Sequence, residues 1–123
     1  MRSGKAGFLI VTVIVAVCIM LLAGAFAVSA ETEQVIQITA KRFEYSPKEI
    51  TVKVGVPVVL EFTSLDRLHG FNCPGLGIRT DIPLKEVTRL RFVPKSSGTF
   101  PFHCDNFCGD GHEGMTGTII VKE

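Results

Sequence analysis

Beyond Ala30, no segment of this 123-residue chain sustains helical periodicity for three turns, and that property narrows what it can fold into. In place of helices it carries short β-branched runs punctuated by Gly and Pro, which predicts an all-β sandwich or barrel. Val35-Ile36-Gln37-Ile38-Thr39 reads as a first strand, and Glu49-Ile50-Thr51-Val52-Lys53-Val54, which alternates apolar with polar residues, as a second that turns at Gly55. Residues 58–63 form a third, and residues 87–93 show the cleanest period-2 alternation in the chain. Residues 99–104 and 117–122 complete the set. The connection 64–86, with His69, Pro74, Gly75, Gly77 and Pro83, has little strand pattern of its own and reads as a long functional loop.

The N-terminus has a different character. Arg2 and Lys5 precede an uncharged, mainly apolar run over residues 6–30 that closes on Val28-Ser29-Ala30, just before Glu31-Thr32-Glu33. The small residues resemble a signal-peptidase site, and the run is also long enough to span a bilayer as an uncleaved single-pass anchor, which takes ~20 residues. Val17 is the wrong residue ahead of Cys18 for a lipoprotein cleavage site. On either reading, Arg2 and Lys5 stay on the cytoplasmic side, and the chain beyond Glu31 faces the periplasm or the extracytoplasmic side of the membrane. The organisation expected is a signal peptide or membrane anchor over 1–30 and one domain over 31–123. That domain sets 12 acidic residues against 11 Lys and Arg, a formal charge of −1 with no basic stripe, which excludes a nucleic-acid partner.

Between the last two predicted strands lies Cys104-Asp105-Asn106-Phe107-Cys108-Gly109-Asp110-Gly111-His112-Glu113-Gly114-Met115. Thiolates and a thioether are soft donors and imidazole suits copper, so the set selects copper over magnesium, calcium or manganese. Gly109, Gly111 and Gly114 let the backbone bend enough for His112 and Met115 to converge on the cysteines. Three cysteines lie outside the N-terminal run, Cys73, Cys104 and Cys108, and an odd count leaves the plain alternative, a Cys104–Cys108 disulfide, with one thiol over. A mononuclear blue-copper site built from His69, Cys108, His112 and Met115 also satisfies the donor chemistry, but it leaves Cys104 without a role.

This loop, together with Asp66-Arg67-Leu68-His69-Gly70-Phe71, Leu76-Gly77-Ile78-Arg79-Thr80-Asp81 and Gly117-Thr118-Ile119-Ile120-Val121, resembles the copper-A domain of cytochrome c oxidase subunit II. Nitrous oxide reductase has a similar domain. The resemblance covers roughly residues 35–122 and implies a cupredoxin-like Greek-key β-sandwich with two copper ions bridged by the sulfurs of Cys104 and Cys108. It further implies that His69 and His112 each bind one copper, that Met115 is a weak axial ligand of one, and that the backbone carbonyl of Asn106 caps the other. The activity implied is one-electron transfer, with no substrate bond made or broken. The partners implied are a redox protein such as a c-type cytochrome and, for an oxidase component, the catalytic subunit. Asn106 stands where mitochondrial-type subunits have a glutamate that helps hold magnesium, and the chain has no Trp for a cytochrome-docking patch. Phe71 or Phe107 is then the aromatic expected on the electron route.

Other residues have plainer readings. Strand alternation points His103 away from Cys104, so it is expected exposed or behind a ligand. Cys73 reads as a small buried thiol under the loop. Asp110 and Glu113 read as solvated charges at the mouth of the site, and Arg79 is a candidate ion-pair partner of Asp81. Two other functions compete with electron transfer: periplasmic copper delivery or scavenging with the same ligands, and thiol–disulfide chemistry by Cys104 and Cys108 without metal.

Overall fold

The computed structural model describes residues 4–23 and 32–123, and the chain divides into two units, Met1–Ala30 and Glu31–Glu123. In the first unit α1 runs over Gly4–Ala23 with no acidic residue in its first turn and no basic residue in its last. From Phe8 to Val17 its large apolar side chains are at least half exposed. A helix that is apolar all round offers no polar face to water. Among the described residues no helix is long and apolar enough to cross a membrane, and the stretch with described side chains, 7–18, is shorter than the ~20 residues a span takes. Arg2, the side chain of Lys5 and Val28-Ser29-Ala30, on which the signal-or-anchor reading turns, lie outside the described residues.

The second unit is two sheets. Its strands are β1 (Gln34–Lys41), β2 (Glu44–Ser46), β3 (Glu49–Lys53), β4 (Val58–Ser64), β5 (His69–Cys73), β6 (Ile78–Ile82), β7 (Thr88–Phe92), β8 (Gly98–His103) and β9 (Thr116–Lys122). One sheet has the order β2-β1-β4-β7 and the other β3-β9-β8-β5-β6. β1 with β4 and β3 with β9 run parallel, and the remaining neighbours are antiparallel. Alternation does the sorting: Ile50 and Val52 of β3 are buried between exposed Glu49, Thr51 and Lys53. On β7, Thr88, Leu90 and Phe92 turn inward while Arg89 and Arg91 face out, toward Glu61 at 3.2 Å and Glu33 at 2.8 Å. These exposed pairs contribute little to stability.

The connection 64–86 differs from its sequence reading, because it holds β5, a 3-10 turn over Pro74–Leu76, and β6. β5 lies inside its sheet between β8 and β6, and His69, Gly70, Phe71 and Cys73 are all buried. A strand covered on both faces loses the polar–apolar alternation that would reveal it. β2 escaped notice for a simpler reason, being only three residues long.

Four aromatic rings fill the core where the sheets meet. Phe71 packs on Phe62 and Phe102 with centroids 4.7 and 4.8 Å apart, and Tyr45 stands edge-on to Phe102 at 5.0 Å. All four are buried. Tilted and edge-on pairs of this kind add to the stabilisation from area burial alone. They form a stiff floor under β5 and the end of β8.

Candidate metal centre

β8 ends at His103, one residue before Cys104, and β9 begins at Thr116, one residue after Met115. Phe102 points into the core, His103 is exposed, and Cys104 is buried again, as pleating requires. The Cys104 N–H donates to the Met115 carbonyl at 3.1 Å, which closes the loop at its base. Gly109 (φ +133°) and Gly111 (φ +108°) occupy the left-handed region, and a Cβ on Gly111 would lie 2.7 Å from the Phe43 ring. Glycine is needed at that bend for both reasons. A 3-10 turn over His112–Gly114 then returns the chain to Met115.

The loop and β5 bring the expected donors to one place. The ligand atoms of His69, Cys104 and Cys108 lie within 4.8 Å of one another, all buried. Cys104 Sγ and Cys108 Sγ are 3.9 Å apart, and both are free thiols. A disulfide would need ~2.05 Å, so the pair is not cross-linked. Cys108 Sγ is 3.5 Å from His112 Nδ1 and 3.9 Å from Met115 Sδ. The Cys104 thiol donates to the Asn106 carbonyl at 3.1 Å. Six sequence-predicted residues thus surround one small volume. Burial, and then the neighbouring Cys104, push the Cys108 thiol up to about 11, so metal binding here has to displace protons.

His69 carries the sharpest sign of a ligand. Its Nε2 meets Asp66 Oδ1 at 2.7 Å. Among the described residues, its Nδ1 is the buried side-chain nitrogen or oxygen left without a hydrogen-bond partner. Buried polar atoms are nearly always paired, and a metal-ligating imidazole typically has its other nitrogen held by a carboxylate. Burial acts upward on the Asp66 carboxyl, yet the N–H of Arg42, at 2.8 Å, and His69 outweigh it and hold the group below the usual carboxylate range. Asp66→Ala should weaken metal binding by about 10–100-fold, as measured by competition with a chelator of known affinity.

Behind the ligands lies a belt of charged and amide groups, of which sequence reasoning anticipated only the Arg79–Asp81 pair. Arg67 Nη1 donates to the Cys108 carbonyl at 2.7 Å, tying the turn before β5 to the metal loop. Arg79 on β6 reaches Asp105 at 2.7 and 3.0 Å and also pairs with Asp81 at 2.7 Å. The Asn106 amide donates to Asp81 Oδ1 at 2.9 Å and to the His69 carbonyl at 3.3 Å. Asn106 first, and then Arg79, hold the Asp81 carboxyl below its ordinary range. Asp66 lies three residues before His69, a spacing visible in the sequence but meaningful only once the intervening turn is known.

The remaining candidates separate clearly. Phe71 is fully buried in the aromatic floor and so has no place on a surface route, whereas Phe107 is 78% exposed with its ring 5.7 Å from that of half-buried His112. Asp110 and Glu113 are exposed beside His112. Cys73 is fully buried, 3.9 Å from the Phe100 carbonyl, and burial raises its thiol pKa.

A two-sheet sandwich that gathers soft donors in the loop between its last two strands defines a metal-binding β-sandwich protein. The chain belongs to the cupredoxin-like domain family, whose sequence model matches residues 11–121. It is similar to cytochrome c oxidase subunit 2 of Thermus thermophilus, being 38% identical over 88 residues that cover 72% of this chain and 65% of that one. Nitrous-oxide reductase of Ralstonia nicotianae is 30% identical over 91 residues, covering 71% of this chain and 14% of that one. Among solved structures, the periplasmic domain of subunit II of cytochrome oxidase (CoxB) of Bradyrhizobium japonicum has the same fold, with a TM-score of 0.67 and 22% identity over 73% of this chain and 84% of that one. The chain spans less than two thirds of the length of the curated relatives it matches.

Proposed function

We propose that residues 31–123 hold two copper ions between Cys104 and Cys108 and pass single electrons through them. The observation that carries this reading is the pair of buried free thiols 3.9 Å apart with the unpartnered Nδ1 of His69 beside them. A mononuclear site would leave one of those thiols idle. In this reading His69, Cys104, Cys108, His112, Met115 and the Asn106 carbonyl would hold the metal, with His69 and His112 serving one copper each and Met115 and the Asn106 carbonyl as the weaker donors. Two coppers sharing both sulfurs would supply a one-electron centre with its charge spread over both ions. The chain's own part is to hold the donors still: Asp66 fixes the His69 ring, Arg67 holds the Cys108 carbonyl, and the Asn106 amide spans His69 and Asp81. Ligands held in place by such bonds need little rearrangement when charge arrives, the principle by which fixed dipoles lower other barriers.

The proposal extends to place and partners. The apolar N-terminal segment, cleaved or kept as a single-pass anchor, delivers the domain to the periplasm or the extracytoplasmic face of the membrane. There it would take electrons from a redox protein such as a c-type cytochrome and deliver them to an oxidase catalytic subunit, a reading supported by the similarity to subunit 2 sequences. Asp110 and Glu113 beside exposed Phe107 favour a basic partner, with an association rate that falls as salt rises. Asn106 has no carboxylate with which to hold magnesium, so no magnesium link is carried over.

Counting copper in the purified 31–123 domain and recording its electron paramagnetic resonance tests the centre. Two coppers per chain with one unpaired electron shared between both nuclei is the expected result. One copper with the signal confined to a single nucleus overturns the dinuclear reading in favour of the mononuclear one. Loading should also raise the melting temperature, because metal bound only by the folded chain adds to folding free energy, by ~2.7 kcal/mol at a hundredfold excess over Kd. Scanning calorimetry of the metal-free and loaded forms reads that shift.

A further inference from the structure

Tyr45 is the chain's one tyrosine, and the donor set makes no use of it. It stands in the middle of β2 with 2% of its surface exposed. Its hydroxyl donates to the Gly70 carbonyl at 2.5 Å, a fully buried bond. The N–H of the same glycine donates to Cys104 Sγ at 3.3 Å. These two bonds have a common origin in the sheet. On the β8 side, the ladder of β5 has a single register pair, Asn72 with His103, because β8 ends where the chain leaves for the metal loop. Buried backbone groups have to be paired somewhere. Gly70 finds its acceptor in a ligand sulfur and its donor in a tyrosine from the opposite sheet.

Gly70 is also where the metal loop comes down onto β5, since a Cβ there would collide with the Asp105 carboxylate and lie 3.2 Å from the Asn106 nitrogen. The residue is therefore held from below by Tyr45 and covered from above by the loop.

We propose that Tyr45 is a positioning residue of the metal centre: its hydroxyl anchors Gly70 so that the Gly70 N–H stays on the Cys104 sulfur, and this bond raises the reduction potential. The inference rests on the copper reading above. A hydrogen bond to a ligating sulfur draws electron density from it and favours the electron-rich, reduced state, which is one of the recognised levers on copper–thiolate potentials. Removing the hydroxyl leaves the Gly70 carbonyl buried without a donor and frees the N–H to drift from the sulfur.

Tyr45→Phe in the full chain is the test, because it keeps the ring and its contacts with Phe102 and Phe71 and deletes only the hydroxyl. The expected result is an unchanged copper count and a lower reduction potential, equivalent to an about two- to tenfold shift of the one-electron equilibrium, in keeping with the loss of one hydrogen bond. A tenfold shift is ~59 mV. In the metal-free chain the Gly70 amide should exchange with solvent several-fold faster than in the parent, while the amides pairing β3 with β9 are unaffected. Phe62→Leu, which disturbs the same aromatic floor but has no hydroxyl to lose, should lower stability and leave the potential in place. An unmoved Gly70 amide, or faster exchange with an unmoved potential, overturns the proposal. The exchange measurement needs no copper, so it stands or falls separately from the number of ions the chain binds.

Discussion

On the proposed two-copper reading, Cys108→Ser should reduce copper binding to one ion per chain or none and abolish any signal shared between two nuclei. Cys108 is the hub of the donor set, with its sulfur 3.9 Å from Cys104, 3.5 Å from His112 and 3.9 Å from Met115. Serine puts a harder and shorter oxygen at that hub, where it neither bridges like a thiolate nor suits copper. The sandwich itself should persist, since the substitution leaves β8, β9 and the closing bond from Cys104 to Met115 untouched, and circular dichroism of the metal-free variant checks this. Cys73→Ser is the matched control, because that thiol meets the Phe100 carbonyl and the Leu76 backbone rather than any of the donors and should leave the copper count unchanged. A Cys108→Ser chain that still holds two coppers with a shared electron would remove the bridging role.

The largest loss of stability should follow Phe71→Ala. This ring is fully buried and packs directly on Phe62, Phe102 and Tyr45. Truncating a buried phenylalanine costs ~3–5 kcal/mol, combining lost transfer free energy with the cavity left behind. Against a total stability of ~5–15 kcal/mol, that is enough to unfold a marginal domain. Urea titration of the metal-free chain should show a large drop in midpoint with little change in slope. Phe107→Ala, at a residue 78% exposed, should shift stability by no more than ~0.5 kcal/mol. Equal costs at the two positions would mean that the aromatic floor is not the packed core it is taken for.

Much of the fold was legible because most strands bury one face and alternate accordingly. β1, β3, β4, β7, β8 and β9 fall within a few residues of the runs expected from pattern alone. β5 and β6 were not: in His69-Gly70-Phe71-Asn72-Cys73 every residue but Asn72 is buried, so no alternation marks the strand, and His69 serves the site rather than solvent. At the candidate centre, spacing pointed to residues close in sequence, and the structure sets Cys104, Asn106, Cys108, His112 and Met115 side by side. Groups that arrive across the fold were not. Arg67 reaches Cys108 from 41 residues away, Arg79 reaches Asp105 from 26, and Tyr45 reaches Gly70 from 25. Such bonds depend on sheet order, which periodicity does not encode. Phe71 illustrates the opposite error, since an aromatic two residues from a ligand looks like surface until the strand's direction is known.

The bond from the Cys104 N–H to the Met115 carbonyl has an evolutionary consequence. It sits directly on the last rung between β8 and β9, where His103 pairs with Thr116, so the sheet ends in the same way whatever lies between residues 105 and 114. Variation in that interval is screened from the ladder below, and a lineage can lengthen, shorten or exchange the insert without relearning how to fold. The constraint on such exchange comes from outside the loop: Arg67, Gly70, Arg79, Asp81 and the Phe43 ring meet the insert itself and would have to change with it. Grafting a foreign insert onto this sandwich therefore calls for replacing those residues as a set, including the ones that β5 and β6 present to the loop.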